Sequence, residues 1–196
     1  MKIEKVQACV CKLQWSFITA CCMAMLVVAL SLPQTTFAAS ASDINRDVDI
    51  ALKHLYKTTP AAKKMAGIAK GVLVFPDIIK GGFIIGGQYG EGALRVGGKT
   101  AGYYKSIAAS YGLQIGAQSF GYALFFLSDD DLNYLKKSEG WEIGVGPTVV
   151  VMDEGMARSF STTTAKSGIY AFFFDQKGLM AGLGIQGSKI TKIQPK

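Results

Sequence analysis

Between Ala69 and Leu94 the chain reads A-K-G-V-L-V-F-P-D-I-I-K-G-G-F-I-I-G-G-Q-Y-G-E-G-A-L. Two short apolar runs, Val72–Phe75 and Phe83–Ile85, are punctuated by Pro76, the pair Gly81-Gly82, and then Gly86, Gly87, Gly90 and Gly92. β-Branched and aromatic runs bounded by such breakers predict tightly turned strands, not helices. Glycine at this density inside strands marks bulges, bends or places where another backbone passes close by. This block is therefore the centre of the fold.

The texture on either side completes the fold class. Before the block, Ile44, Val48, Ala51, Leu52 and Leu55 recur at three- and four-residue spacing, which predicts an amphipathic helix over Ser42–Tyr56 capped by Ser42 or Asp43. Thr59 and Pro60 open a second helix that Gly71 would stop. After the block, apolar runs at Ala93–Gly97, Ala101–Ser110, Tyr111–Gly116 and Gly121–Leu127 read as further strands. Ser128 then caps a short helix near 129–138, with Asp129, Asp130 and Asp131 in its first turn and Lys136 and Lys137 in its last, the arrangement that complements the helix dipole. Strands resume at Trp141–Val145, Thr148–Met152, Ser159–Thr163, Gly168–Phe174, Gly178–Ile185 and Lys189–Ile193. The expected fold is α+β and β-rich: a compact, antiparallel, barrel-like sheet of many short glycine-rich strands with helices at one end and beneath it.

The first 38 residues have a different character. Lys2, Lys5 and Lys12 precede an apolar stretch, Leu13 to Leu32, and then T-F-A-A-S-A-S. That order predicts a secretory signal peptide cleaved between residues 38 and 41, leaving a single domain over 43–193. Ile18-Thr19-Ala20-Cys21 also has the form of a lipobox, with Cys21 as the lipidated residue, but the apolar run continues well past it. Cleavage without lipidation is the preferred reading. The predicted location is periplasmic or otherwise extracytoplasmic.

Cysteine usage and charge narrow the chemistry. Cys9, Cys11, Cys21 and Cys22 are the four cysteines and all precede residue 39, so the remainder has neither disulfides nor cysteine-ligated metal. The chain carries a formal charge of +7. Lys53, Lys57, Lys63, Lys64, Lys70 and Lys80 face only Asp77 over their interval. Such an excess suits an anionic partner, phospholipid or nucleic acid, or simply a solvated basic face. Export disfavours nucleic acid.

Catalytic patterns fail one by one. His54 is the single histidine. A117-Q-S-F-G121 approaches a nucleophile elbow, yet its first position is alanine and no histidine follows to act as base. Asp129, Asp131 and Asn133 open like a calcium loop, but Tyr134 stands where the turn glycine belongs and Gly140 where the bidentate glutamate belongs. Gly182, Gly184 and Gly187 match a dinucleotide fingerprint by letters, with too few residues after them to form its helix and second strand. No cofactor is expected, and the chain reads as non-enzymatic. Surface chemistry remains: Tyr103, Tyr104 and Lys105 are amphipathic residues of the kind found at bilayer interfaces. The triple Phe172-Phe173-Phe174 must send one ring to the face opposite the other two.

The glycine block resembles the signature of the SYLF domain family. The similarity continues through V-G-G-K-T-A-G-Y-Y, Y-G-L-Q-I-G-A-Q-S, G-W-E-I-G-V, T-T-T-A and G-L-M-A-G-L-G-I-Q-G-S-K-I-T, covering about Asp43 to Ile193. Members occur in yeast actin-patch proteins, in animals and plants, and as exported stand-alone proteins in bacteria. The resemblance implies phospholipid binding, with phosphoinositides prominent among eukaryotic ligands, through an amphipathic N-terminal helix bearing basic residues. On this chain that role falls on the 43–57 helix with Lys53, Lys57, Lys63, Lys64 and Lys70, and the expected ligand is an anionic phospholipid or membrane surface. Actin binding, known in some eukaryotic members, is not expected of an exported protein. The competing expectation is a structural or protein-interaction domain of the envelope, whose helix simply packs on its own sheet.

Overall fold

The computed structural model describes residues 39–82, 85–111, 116–152, 155–156, 168–178, 185 and 187–196. The leader, Cys21, the expected strand at Ser159–Thr163 and most of the one at Gly178–Ile185 lie outside the described residues. The fold is mixed α+β, dominated by an eight-stranded sheet curled into a half-barrel. In chain order the elements are α1 (Ala41–Thr58), α2 (Pro60–Ala66), β1 (Gly71–Gly82), β2 (Ile85–Val96), β3 (Lys99–Tyr111), β4 (Gly116–Phe126), α3 (Asp129–Lys137), β5 (Trp141–Glu142), β6 (Val149–Val151), β7 (Ile169–Gly178) and β8 (Lys189–Ile193). Across the sheet the order is β5-β8-β3-β2-β1-β4-β7-β6. Every pairing is antiparallel except the outermost, β6 with β7.

The four central strands are longer than the breakers suggested, running 11 to 13 residues each. Pro76 lies inside β1, between two neighbours. It is accommodated because the register of β1 with β4 shifts between Phe75 and Ile78, and with β2 between Val74 and Ile79. A bulge at this point frees the position from the ladder hydrogen bond that proline cannot donate. Facing the bulge, Gly90 and Gly92 sit in β2 where a Cβ would fall on the carbonyl oxygens of Asp77 and Val74. These glycines are a close backbone approach and not strand ends.

Alternation along the strands builds two cores. Val72, Val74, Ala93, Ala123, Phe125, Phe172 and Phe174 face the helices, where Ile44, Val48, Ala51, Leu55, Ala62 and Met65 cover them. Leu73, Phe75, Ile78, Leu94, Tyr104, Phe120, Tyr122, Leu124 and Phe126 fill the concave side, closed by Leu132 and Leu135 of α3 and by Trp141. Phe75 and Tyr122 stack with ring centroids 4.8 Å apart, and Trp141 lies 6.2 Å from Phe126. The phenylalanine triple divides accordingly, Phe172 and Phe174 to the helix side and Phe173 to the concave side. Both faces of β7 are covered over residues 169–174, so the odd ring needs no external partner.

Helix ends follow local chemistry, with one displacement. The N-cap of α1 is Ser40, two or three residues earlier than expected, and its Oγ accepts from the Asp43 amide at 3.2 Å. Thr59 precedes Pro60 at the start of α2 but makes no side-chain cap, and α2 closes at Gly67. Ser128 caps α3, accepting from the Asp131 amide at 3.1 Å. This helix start accounts for the aspartate run that resembles a calcium loop.

Candidate functional site

Helix α1 crosses the outer face of the sheet, tied down at both ends. Near its start, Arg95 of β2 donates from Nη1 to Asn45 Oδ1 (3.1 Å), from Nη2 to the Asn45 carbonyl (3.2 Å) and to Asp49 Oδ1 (2.6 Å). Thr100 donates to Asn45 Oδ1 at 2.7 Å, and Asn45 Nδ2 donates to the Tyr103 hydroxyl at 2.8 Å. Near its end, His54 Nδ1 lies 2.9 Å from a carboxylate oxygen of Asp175. Asp175 has φ +52° at an irregularity where β7 pairs with β4, between Ser119 and Gly121. Nothing in the residue spacing announces either tether, because both join segments far apart in sequence.

With its apolar stripe packed inward, α1 presents Ile50, Lys53, His54 and Lys57 to solvent. Lys63 and Lys64 of α2, then Ile68 and Lys70, continue the exposed surface. Acidic residues concentrate at the other end of α1, where Asp43 and Asp47 pair with Arg46 and Asp49 with Arg95. The Asp43 carboxyl is held below the usual range, mainly by the Ser40 hydroxyl and then by Arg46. Lys70 lies 3.6 Å from Asp129. Lys53, Lys57, Lys63 and Lys64 have no ion-pair partner among the described residues. The five candidate lysines are thus all exposed, four of them on the helices without an ion-pair partner among the described residues and Lys70 beyond α2 beside Asp129.

The second candidate group does not stay together. Tyr103 is half-buried and hydrogen-bonded to α1, while Tyr104 is 2% exposed and sits in the concave core. Burial raises the Tyr104 hydroxyl pKa above its ordinary value. Adjacent strand residues point to opposite faces, so one tyrosine had to leave the surface. Tyr104 is a core residue. Lys105 is half-buried, opposite Glu91 of β2 and Thr191 of β8.

Two features escaped the sequence reading. Ile79, Tyr89 and Ile107 are exposed and lie directly opposite one another across β1, β2 and β3, forming an apolar ridge on the convex side. The Tyr89 hydroxyl donates to Glu91 Oε1 at 2.5 Å, and partial desolvation followed by that carboxylate pushes its pKa up to about 12. Because the folded value lies above the unfolded one, the Tyr89 contribution to stability is complete below pH ~10 and is lost as pH rises through about 12. Burial also raises Tyr56, Tyr104 and Tyr122, so ultraviolet phenolate titration should show several late-titrating tyrosines, with one fewer in Tyr89→Phe. The second feature is a polar row on the concave side, Gln88–Lys80–Gln118. Its signal was the alternation after Pro76, legible only once the bulge is known.

The serine in A117-Q-S-F-G121 lies within β4, opposite Ile79 and Lys177, with none of the strand–turn–helix geometry of a nucleophile elbow. Among the described residues no cluster of three His, Cys, Asp or Glu could hold a metal ion. No helix among them is long and apolar enough to cross a membrane. No family model matches the chain, and no curated protein matches it.

Proposed function

We propose that this domain is a non-enzymatic module, exported to the cell envelope, that binds anionic phospholipid surfaces. The observation that carries the reading is the uncompensated lysine surface of α1 and α2, with Lys53, Lys57, Lys63 and Lys64 exposed beside Ile50 and Ile68. The likeness of the 69–94 block to the SYLF signature points the same way. The mechanism differs from helix insertion. Ile44, Val48 and Leu55 are 3% exposed or less, so the stripe that would enter a bilayer is already used against the sheet. Contact is instead electrostatic, each lysine contributing about 1 kcal/mol at an anionic surface, with Ile50 and Ile68 as shallow apolar points.

Vesicle flotation tests this directly. The wild type should float with phosphatidylglycerol-containing vesicles, not with purely zwitterionic ones, and binding should fall as salt is raised. Reversing Lys53, Lys57, Lys63 and Lys64 to Glu should abolish flotation, since loss of four attractions of about 1 kcal/mol each already weakens binding roughly a thousandfold. Equal flotation of wild type and variant, or none by either, would refute the reading. A structural or protein-interaction domain is the second reading, favoured by the Ile79–Tyr89–Ile107 ridge, an exposed apolar row across three strands.

A further inference from the structure

The concave side of the sheet changes character towards the end carrying Gly82, Gly86 and Gly116. Within β1, Ile78 is fully buried in the concave core and Ile79 is 62% exposed on the other face. Alternation then returns Lys80 to the concave side, where it is half-buried. Directly opposite it stand Gln88 on β2 and Gln118 on β4, each 6% exposed. Side chains in such directly opposed positions start from Cβ atoms about 5 Å apart, so the Lys80 side chain starts between those of the two glutamines. One step further out, Gly82 pairs with both Gly86 and Gly116, a row with no side chains to cover the polar one. One step deeper, Ile78 on β1 and Phe120 on β4 are buried apolar residues, and Tyr122, a further step along β4, donates to Ser106 Oγ at 2.9 Å. Among the described residues the row is floored by apolar side chains, and its outer neighbours are the glycines.

Its own polar groups are not satisfied. Gln88 donates from Nε2 to Ser188 Oγ at 2.7 Å, which fixes that amide. Gln118 Oε1 is buried and has no hydrogen-bond partner, and Lys80 has neither an ion pair nor a side-chain hydrogen bond among the described residues. A buried acceptor without a partner costs about 1–3 kcal/mol, and a half-buried ammonium without a counter-charge adds to that cost. A core built only for packing has no use for this pair. The two groups are complementary in kind: Lys80 offers a cation to an anion, and Gln118 Oε1 requires a hydrogen-bond donor within a few ångströms of it.

We propose that the Gln88–Lys80–Gln118 row is a binding site for a small hydroxylated anion of the polyol-phosphate class. The phosphate pairs with Lys80 while an adjacent hydroxyl donates to Gln118 Oε1. A glycerol phosphate has this chemistry, whether free in solution or as the headgroup of phosphatidylglycerol. The site lies on the opposite face of the sheet from the lysine surface of α1 and α2, and it does not depend on the surface-binding reading.

The test follows the side-chain amide signals of Gln88 and Gln118 by NMR in isotope-labelled wild type. Glycerol 3-phosphate should shift both saturably, and glycerol alone should shift neither. Lys80→Met and Gln118→Leu should each weaken binding about tenfold or more, the loss of one charge-assisted or buried hydrogen bond. Lys80→Arg should retain binding, which keeps the test informative if the methionine variant folds poorly. Saturation by free glycerol 3-phosphate assigns a soluble ligand; saturation only by phosphatidylglycerol nanodiscs assigns a lipid headgroup. Failure of both to shift these amides overturns the proposal and leaves solvent as the partner of Gln118. Shifts that persist undiminished in Lys80→Met overturn it equally. Loss of vesicle flotation in the four-lysine variant with these shifts intact would separate the two sites.

Discussion

Gly92→Ala should destabilise the protein by about 3 kcal/mol, enough to unfold a domain of ordinary stability in a large fraction of molecules. The new methyl group would overlap the Val74 carbonyl oxygen, with the Val74 carbonyl carbon 2.8 Å away and the Phe75 ring 2.9 Å away. Two of these three neighbours are backbone, so no rotamer change relieves the overlap and the β1–β2 ladder itself must move. Gly87→Ala, in the same strand, is the control. Its added carbon would meet the Ala108 carbonyl oxygen at 3.7 Å, an ordinary contact. That variant should lie within about 0.5 kcal/mol of wild type. Urea titration followed by circular dichroism measures both. Equal stability of the two variants would mean that the bulge at Pro76 does not press on β2 as described.

Leu55→Ala should cost about 3 kcal/mol in lipid-free protein, within the range for truncating a fully buried leucine. Leu55 is 0% exposed, in the cluster that α1 and α2 form with Val72, Val74, Phe125 and Phe172. Ile50, on the same helix, is 61% exposed, and Ile50→Ala should leave stability within about 0.5 kcal/mol of wild type. The pair separates two roles for one helix. If α1 is a fixed part of the domain, Leu55 controls folding and Ile50 affects only vesicle binding. A helix held in reserve for the bilayer would show the reverse: little stability change in Leu55→Ala, and weak amide protection of residues 44–56 before lipid is added. Hydrogen exchange with and without anionic vesicles distinguishes these cases.

The helices were legible because their signals are local. Pro60 at a first turn, Ser128 before three aspartates, and the 44-48-51-55 stripe each act within one or two turns. The α+β, sheet-dominated class was legible for the same reason. The strand lengths were not. A proline and several glycines in β1 and β2 read as boundaries, yet a bulge shared by two ladders lets both strands run through them. That bulge is a property of three strands together. The candidate lysines were found by charge alone, and in the structure Lys53, Lys57, Lys63, Lys64 and Lys70 are each exposed. Tyr103 and Tyr104 were grouped as neighbours in sequence, whereas the pleat sends them to opposite faces, one to α1 and one into the core.

By itself, the amino-acid sequence determined periodicity: which segments wind, which extend, and which residues share a face. It also determined that nothing after residue 38 could form a disulfide or a thiolate metal site. Only the tertiary structure decided what covers each face. It turned the amphipathic stripe of α1 onto the sheet, buried both sides of the Phe172–Phe174 strand, and set Lys80 between Gln88 and Gln118, one step from a row of glycines. The physical reason is that periodicity arises from the backbone geometry of one segment. The partner of a face is chosen by distant strands, through registers and bulges that no single segment contains.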